Sequence, residues 1–200
     1  MIAIIDYGAG NLRSVKNALD YLKVDSIITS NPNDIKKAEK LILPGVGSFG
    51  DTINSLEEKT LIKTIKEQIK NKKPYLGICL GLQILFEGSE ESPDAKGLGI
   101  FKGDVKRFKE LKVPQIGWNS INIKNKKSKL LKGIETNSYF YFVHSYYVEP
   151  KDKSIILTKT DYGVNFVSGI EKDNIFAVQF HPERSGDIGL KILKNFVELE

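Results

Sequence analysis

One cysteine, Cys79, and two histidines, His144 and His181, are all the thiol and imidazole chemistry that 200 residues hold. A single cysteine leaves no intramolecular disulfide and no cysteine-rich zinc site. What stays open is nucleophilic chemistry: a thiol attacks an acyl carbon, a histidine serves as base, and a third group orients the base. Cys79 lies in Leu76-Gly77-Ile78-Cys79-Leu80-Gly81-Leu82-Gln83. Gly-x-Cys-x-Gly between a strand and a helix is the thiol form of the nucleophile elbow, whose sharp turn exposes the sulfur while the glycines avoid clashes. A cysteine opening a helix also meets the positive end of the helix dipole and unpaired backbone N–H groups, both of which favour a thiolate. A lone cysteine at a strand end is more often a small apolar core residue. The two glycines and the strand-to-helix switch favour the nucleophile here.

Two histidines compete to be its base. His181 closes the apolar run Ile175 to Phe180 and precedes Pro182 and Glu183. In extended backbone residues i and i+2 point the same way, so Glu183 lies beside the His181 ring and can orient it. His144 has no acid within four residues on either side. It reads as a hydrogen-bonded structural or substrate-shaping residue, and the base is assigned to His181. An oxyanion hole needs backbone N–H groups aimed at the developing charge. Pro44-Gly45-Val46-Gly47-Ser48 follows a strand, and its glycines permit the required backbone nest; the N–H of Leu80, next after the nucleophile, is the second donor. Gln83, four residues beyond Cys79, shares its helix face and either hydrogen-bonds a polar substrate or is plain helix surface.

These groups need a scaffold that brings strand ends together. Met1 to Ile5, Ser26 to Thr29, Leu41 to Leu43 and Tyr75 to Ile78 read as strands. Asn11 to Leu22, Pro32 to Ala38, Leu56 to Ile69 and Leu80 to Phe86 read as helices between or after them. Four strand–helix alternations with short connections predict a parallel sheet with helices on both faces. From Leu98 to Val178 the period changes. Tyr139 to Val143, Ser154 to Thr158, Val164 to Val167 and Ile175 to Phe180 predict antiparallel additions and closing strands on the same sheet, before a last helix at Ile188 to Leu199. With no repeat, linker or composition break, residues 1–200 are expected to form one domain.

Composition narrows the function classes. Hydrophobic residues make up 40% and charged residues 28%, ordinary for a folded chain. No apolar run approaches the roughly 18 residues of a membrane span, and Asp6 ends the first run where a signal peptide would continue. A cytoplasmic protein without membrane contact is expected. The net charge of +5 raises nucleic acid, but only three of the 30 basic residues are arginines, so a solvated lysine surface is the better reading. Asp6-Tyr7-Gly8-Ala9-Gly10-Asn11 has Arg13 where a dinucleotide fingerprint needs its third glycine, and no P-loop occurs. This loop is either a tight turn or a binding or interface element. No cofactor and no metal are expected.

The motifs Gly-Ile-Cys-Leu-Gly-Leu-Gln at 77 to 83, Pro-Gly-Val-Gly at 44 to 47 and Phe-His-Pro-Glu at 180 to 183 together resemble the class I glutamine amidotransferases. Within them, Ile5-Asp6-Tyr7-Gly8-Ala9-Gly10-Asn11-Leu12, Pro114-Gln115-Ile116-Gly117-Trp118-Asn119 and Tyr141 to Tyr147 resemble the glutaminase-subunit family of imidazole glycerol phosphate synthases. The resemblance spans essentially the whole chain. It implies that Cys79 attacks the side-chain amide of glutamine, that His181 moves the proton with Glu183 orienting it, and that Gly45, Val46, Gly47 and Leu80 hold the oxyanion. It also implies that Gly47, Gln83, His144 and Ser145 bind substrate. A (β/α)8-barrel cyclase subunit would complete a heterodimer and receive the ammonia, with Asn11, Trp118, Tyr141 and Arg184 at the mouth facing it. Gln115 stands where this family usually has histidine, and Arg184 where it usually has lysine. Both departures bear on the interface and leave the triad intact. Two other readings stay open: a paralogue supplying ammonia to a surface-glycan sugar precursor, and a non-catalytic binding module on the same fold.

Overall fold

A computed structural model of the chain describes residues 1–199. The first half alternates β1 (Ile2–Ile5), α1 (Leu12–Tyr21), β2 (Ser26–Thr29), α2 (Pro32–Lys37), β3 (Lys40–Gly45), α3 (Phe49–Glu58), α4 (Leu61–Lys70), β4 (Tyr75–Cys79) and α5 (Leu80–Gln83). The second half is mostly strand: β5 (Gly88–Ser89), β6 (Gly103–Arg107), β7 (Gln115–Ser120), β8 (Asn122–Ile123), β9 (Tyr139–His144), β10 (Tyr146–Pro150), β11 (Ile156–Tyr162), β12 (Val164–Lys172) and β13 (Ile175–Val178). Helix α6 (Gly186–Val197) ends it.

The main sheet runs β2-β1-β3-β4-β13-β12-β10-β6-β5, with β11 on β12 and β8 on β11. Strands β2, β1, β3, β4 and β13 are parallel, and β12 and β10 continue the sheet antiparallel. This is the expected mostly parallel α/β sheet with antiparallel additions. Because successive side chains on a strand face opposite ways, Ala3 and Ile5 enter one core with Ile35, Ile53 and Ile65, while Ile2 and Ile4 enter another with Val15, Leu19, Ile192 and Phe196. Helices α2, α3 and α4 therefore cover one face and α1 and α6 the other. Among the described residues no helix is long and apolar enough to cross a membrane.

Four expectations need correction. Tyr139 to Val143 belongs to β9, which leaves the main sheet and pairs with β7 in a separate antiparallel ribbon. The helix expected at Leu56 to Ile69 is two helices. Ser48 caps α3 by accepting the Asp51 N–H, and Thr60 takes a left-handed conformation (φ 57°) that ends any continuous helix before α4. Ser154 to Thr158 is not strand throughout, since Lys153–Ile155 forms a 3-10 turn before β11 begins. The helix expected over Leu80 to Phe86 stops at Gln83: the Leu85 and Phe86 N–H groups bond to the Leu82 and Gln83 carbonyls, three residues back, and the carbonyls of Ile84, Leu85 and Phe86 are then taken by the N–H groups of Leu98, Gly99, Ile100 and Phe101, so the chain cannot continue as a helix. The dipole of one short turn is correspondingly weak support for a thiolate at Cys79.

Candidate active site

Register converges the site. Parallel pairing sets Gly45 of β3 opposite Cys79 of β4, and Val178 of β13 opposite Ile78, so the loops after all three strands leave the same sheet edge together. Cys79 adopts φ 55° and ψ −106°, an unusual conformation for a non-glycine residue that turns the chain sharply from β4 into α5. The elbow's glycines are required by close approach. A Cβ on Gly81 would lie 1.9 Å from the Leu43 carbonyl oxygen, and one on Gly77 would lie 2.3 Å from the Gly81 carbonyl oxygen.

His181 Nδ1 meets Glu183 Oε1 at 2.8 Å, with the two side chains 2% and 1% exposed. The sequence argument reached this pair through an extended backbone. In fact Pro182–Arg184 forms a 3-10 turn that folds Glu183 back onto the ring. The His181 backbone is also fixed: its N–H donates to the Tyr141 carbonyl (2.9 Å), and the Ser185 hydroxyl donates to its carbonyl (2.7 Å). Burial alone favours the neutral ring, but the neighbouring Cys79 and the Glu183 carboxylate outweigh it and raise its pKa to about 10. His181 Nε2 has no hydrogen-bond partner of good geometry and is free to exchange a proton with the sulfur or a departing group. On its other side the thiol faces the Val143 carbonyl at 4.0 Å.

A cavity of about 240 Å³ opens against Cys79, lined by Val46, Gly47, Leu80, Gln83, His144 and Ser145, and also by Glu91, Pro114, Val143 and Tyr146. All four residues expected to bind substrate, Gly47, Gln83, His144 and Ser145, thus line one space. Gly45 does not line it. It packs beneath, where a Cβ would meet both Leu80 and the buried hydroxyl of Tyr7 at 2.7 Å. Gln83 is buried, with its amide nitrogen donating to the Tyr146 carbonyl and to Gln179 Oε1, each at 3.1 Å, so plain helix surface is excluded. Glu91 was missed by sequence reasoning: its carboxylate accepts the Phe49 N–H at 2.7 Å and presents negative charge to the cavity. It sits in a charged, turn-rich stretch with no motif, and only the fold brings it here.

His144 and His181 are electrostatic opposites. His144 Nδ1–H donates to the Tyr146 carbonyl at 2.7 Å, leaving Nε2 as an unpaired acceptor. Burial lowers its pKa to about 4, although the Tyr146 bond works against this. The unfolded chain therefore takes up this proton near pH 6.5 and the folded one only near 4, so stability falls as pH drops through that window. By pH 5.5 the His144 contribution to this loss is expected to be about 1 kcal/mol. His181 works the other way over the upper part of this window, because the folded ring is already charged while the unfolded one is still taking up its proton near pH 6.5, so it recovers part of that loss. Thermal midpoints between pH 7 and 5.5 check this: the decline should be shallower in His144→Gln, and an equal decline would refute it.

The four residues expected at the mouth gather on one rim. Asn11 Oδ1, in the amide orientation that satisfies its neighbours, accepts from Arg184 Nη2 at 2.9 Å and Nε at 3.0 Å. Tyr141 sits edge-on to Trp118, with ring centroids 6.2 Å apart, and 6.5 Å from the His181 ring. Trp118 and Ile116 are exposed on the free face of the β7–β9 ribbon. Gln115 is buried and donates to Asn119 Oδ1 at 2.8 Å. A buried thiol thus stands between a polar cavity and a carboxylate-held imidazole, an arrangement suited to acyl transfer through a thioester.

The glutamine amidotransferase class-I family model matches residues 3–199. The chain is 56% identical to the imidazole glycerol phosphate synthase subunit HisH of Methanocaldococcus jannaschii over 201 residues, covering 100% of both chains. It is 52% identical to HisH of Pyrococcus furiosus, covering 99% of this chain and 98% of the relative. Among solved structures it matches a glutamine amidotransferase at TM-score 0.78 and 16% identity, covering 98% of this chain and 100% of the other. PurLQS from Thermotoga maritima matches at TM-score 0.77 and 21% identity, covering 98% and 96%.

Proposed function

The chain belongs to the class I glutamine amidotransferase family, and from that premise we propose that it is the glutaminase subunit of an imidazole glycerol phosphate synthase, acting in histidine biosynthesis. The observation that carries the chemistry is Cys79 at a strained elbow, flanked on one side by the 2.8 Å His181–Glu183 pair and on the other by the polar cavity.

Glutamine enters that cavity with its side-chain amide against Cys79. The Glu91 carboxylate suits its ammonium group, and the neutral His144 offers Nε2 as an acceptor. Attack of the sulfur on the amide carbon moves negative charge onto the oxygen, where N–H groups of the Val46 loop and Leu80 stabilise it; one such donor is worth about 10²–10³ in rate. His181, held charged by its neighbours, gives its proton to the departing nitrogen, so ammonia leaves and a Cys79 thioester remains. The ring then takes a proton from water, which hydrolyses the thioester to glutamate and frees the sulfur.

The partner in this reading is a (β/α)8-barrel cyclase subunit seated on the rim of Asn11, Trp118, Tyr141 and Arg184, so that ammonia leaves on the His181 side directly into it. Exposed aromatic and apolar side chains beside an Asn–Arg contact suit a protein interface better than a free surface. Glutamine hydrolysis by the isolated chain is expected to rise roughly 5- to 150-fold when cyclase and its substrate are added, the usual range of coupling between two sites. Rescue of a histidine auxotroph lacking this subunit tests the pathway. Failure to rescue, with glutaminase activity intact, would point to the sugar-amination partner instead.

A further inference from the structure

The nucleophile has a neighbour that the triad and oxyanion donors leave unexplained. Gln179, fully buried between β13 and the site, donates from Nε2 to Cys79 Sγ at 3.4 Å. The same parallel register that pairs Val178 with Ile78 sets these next two residues side by side. Which end of the Gln179 amide faces the sulfur is decided one step further away. Gln83 Nε2 donates to the Tyr146 carbonyl, which can only accept, and this holds Gln83 with its amide N–H groups toward both that carbonyl and Gln179. Gln179 must then present oxygen to Gln83 and N–H to the sulfur.

The chemistry follows from what sulfur accepts. A thiol is a weak acceptor and a thiolate a strong one, so a donor aimed at Sγ favours the charged form, the more so where water is excluded. An amide also has no proton to exchange near neutral pH, so it stabilises the thiolate without competing with His181 as a base. We propose that Gln179 is a further catalytic residue of this site, a fixed neutral donor that holds Cys79 as a nucleophile, and that Gln83 is the positioning residue that keeps its N–H turned to the sulfur. This deepens the glutaminase reading and rests on it for the use of the thiolate, but its test needs no glutamine.

Cys79 is the only thiol in the chain, so alkylation of the full chain by iodoacetamide reads its reactivity alone. In Gln179→Leu the rate at pH 7 is expected to fall about tenfold, the size of a hydrogen bond to a charged group. The difference should vanish at a pH high enough to ionise the thiol in both proteins. Gln83→Leu should slow alkylation in the same sense by about two- to threefold, because the Gln179 amide is then free to rotate. With cyclase present, Gln179→Leu should lower kcat with KM nearly unchanged. An alkylation profile for Gln179→Leu that superimposes on the wild type overturns the proposal. Should that variant fail to fold, a wild-type profile in Gln83→Leu does so instead. If Gln179→Leu is inert to this test while Cys79→Ala loses glutaminase activity, the proposal fails and the glutaminase reading stands.

Discussion

Cys79→Ala is expected to lower glutamine hydrolysis by a factor of about 10⁴ or more, measured as glutamate released in the presence of the cyclase subunit. No other thiol exists to replace it, and no hydroxyl is seen bonded to His181 Nε2. Any residual rate would come from the oxyanion donors and binding alone. Stability should change little. The substitution removes one sulfur atom from the edge of a core, at a site bordered by a cavity, and alanine bears the same positive φ as cysteine. A thermal midpoint within a few degrees of the wild type, with activity gone, separates chemistry from folding. Full glutaminase activity in Cys79→Ala would overturn the nucleophile assignment, and salt-dependent nucleic-acid binding without hydrolysis under any partner would favour a binding module.

His181→Asn is the second large effect, about 10²–10⁴ in kcat, the ordinary worth of a positioned acid–base group. Asparagine is chosen because an alanine would leave the buried Glu183 carboxylate facing nothing, a destabilisation that would confuse the result. The contrast is His144→Ala. It removes an uncharged acceptor from the cavity, so it should raise KM well before it lowers kcat. The pH dependence discriminates further. With the His181 pKa raised to about 10 by Cys79 and Glu183 against the effect of burial, the imidazolium persists through neutral pH, and glutamine hydrolysis should not fall between pH 7 and 9 through loss of this proton. Loss of activity in His144→Ala with retention in His181→Asn would reverse the two roles.

The elbow was legible because its constraint is local. Gly77 precedes Cys79 because a strand that turns at once into a helix leaves no room for a Cβ against the Gly81 carbonyl, and that crowding follows from spacing alone, whereas Gly81 is required by the Leu43 carbonyl of the neighbouring strand β3. The His181–Glu183 pair was legible for the same reason, although a 3-10 turn rather than an extended strand makes the contact. Beyond local reach the reading weakened. Gln179 sat unremarked inside an apolar run, Glu91 carried no motif, and α5 was drawn too long because nothing in Ile84 to Phe86 shows that a loop more than ten residues later takes their carbonyls. The β7–β9 ribbon likewise looked like more of the main sheet, since alternation marks a strand but does not name the partner it pairs with.

The amino-acid sequence by itself thus determined the stock of reactive groups, one thiol and two imidazoles, the turn that exposes the thiol, and the short continuous apolar runs that make β1, β3 and β4 strands buried on both faces. Only the tertiary structure decided which groups share a site. Cys79 and Gln179 lie 100 positions apart, and Cys79 and Val143 lie 64 apart; each meets through hydrogen-bond register between strands and the crossing of a separate ribbon. Strand register depends on the whole set of packed neighbours, so a shift of one residue would turn each of these side chains to the opposite face, and no local stretch of sequence encodes it.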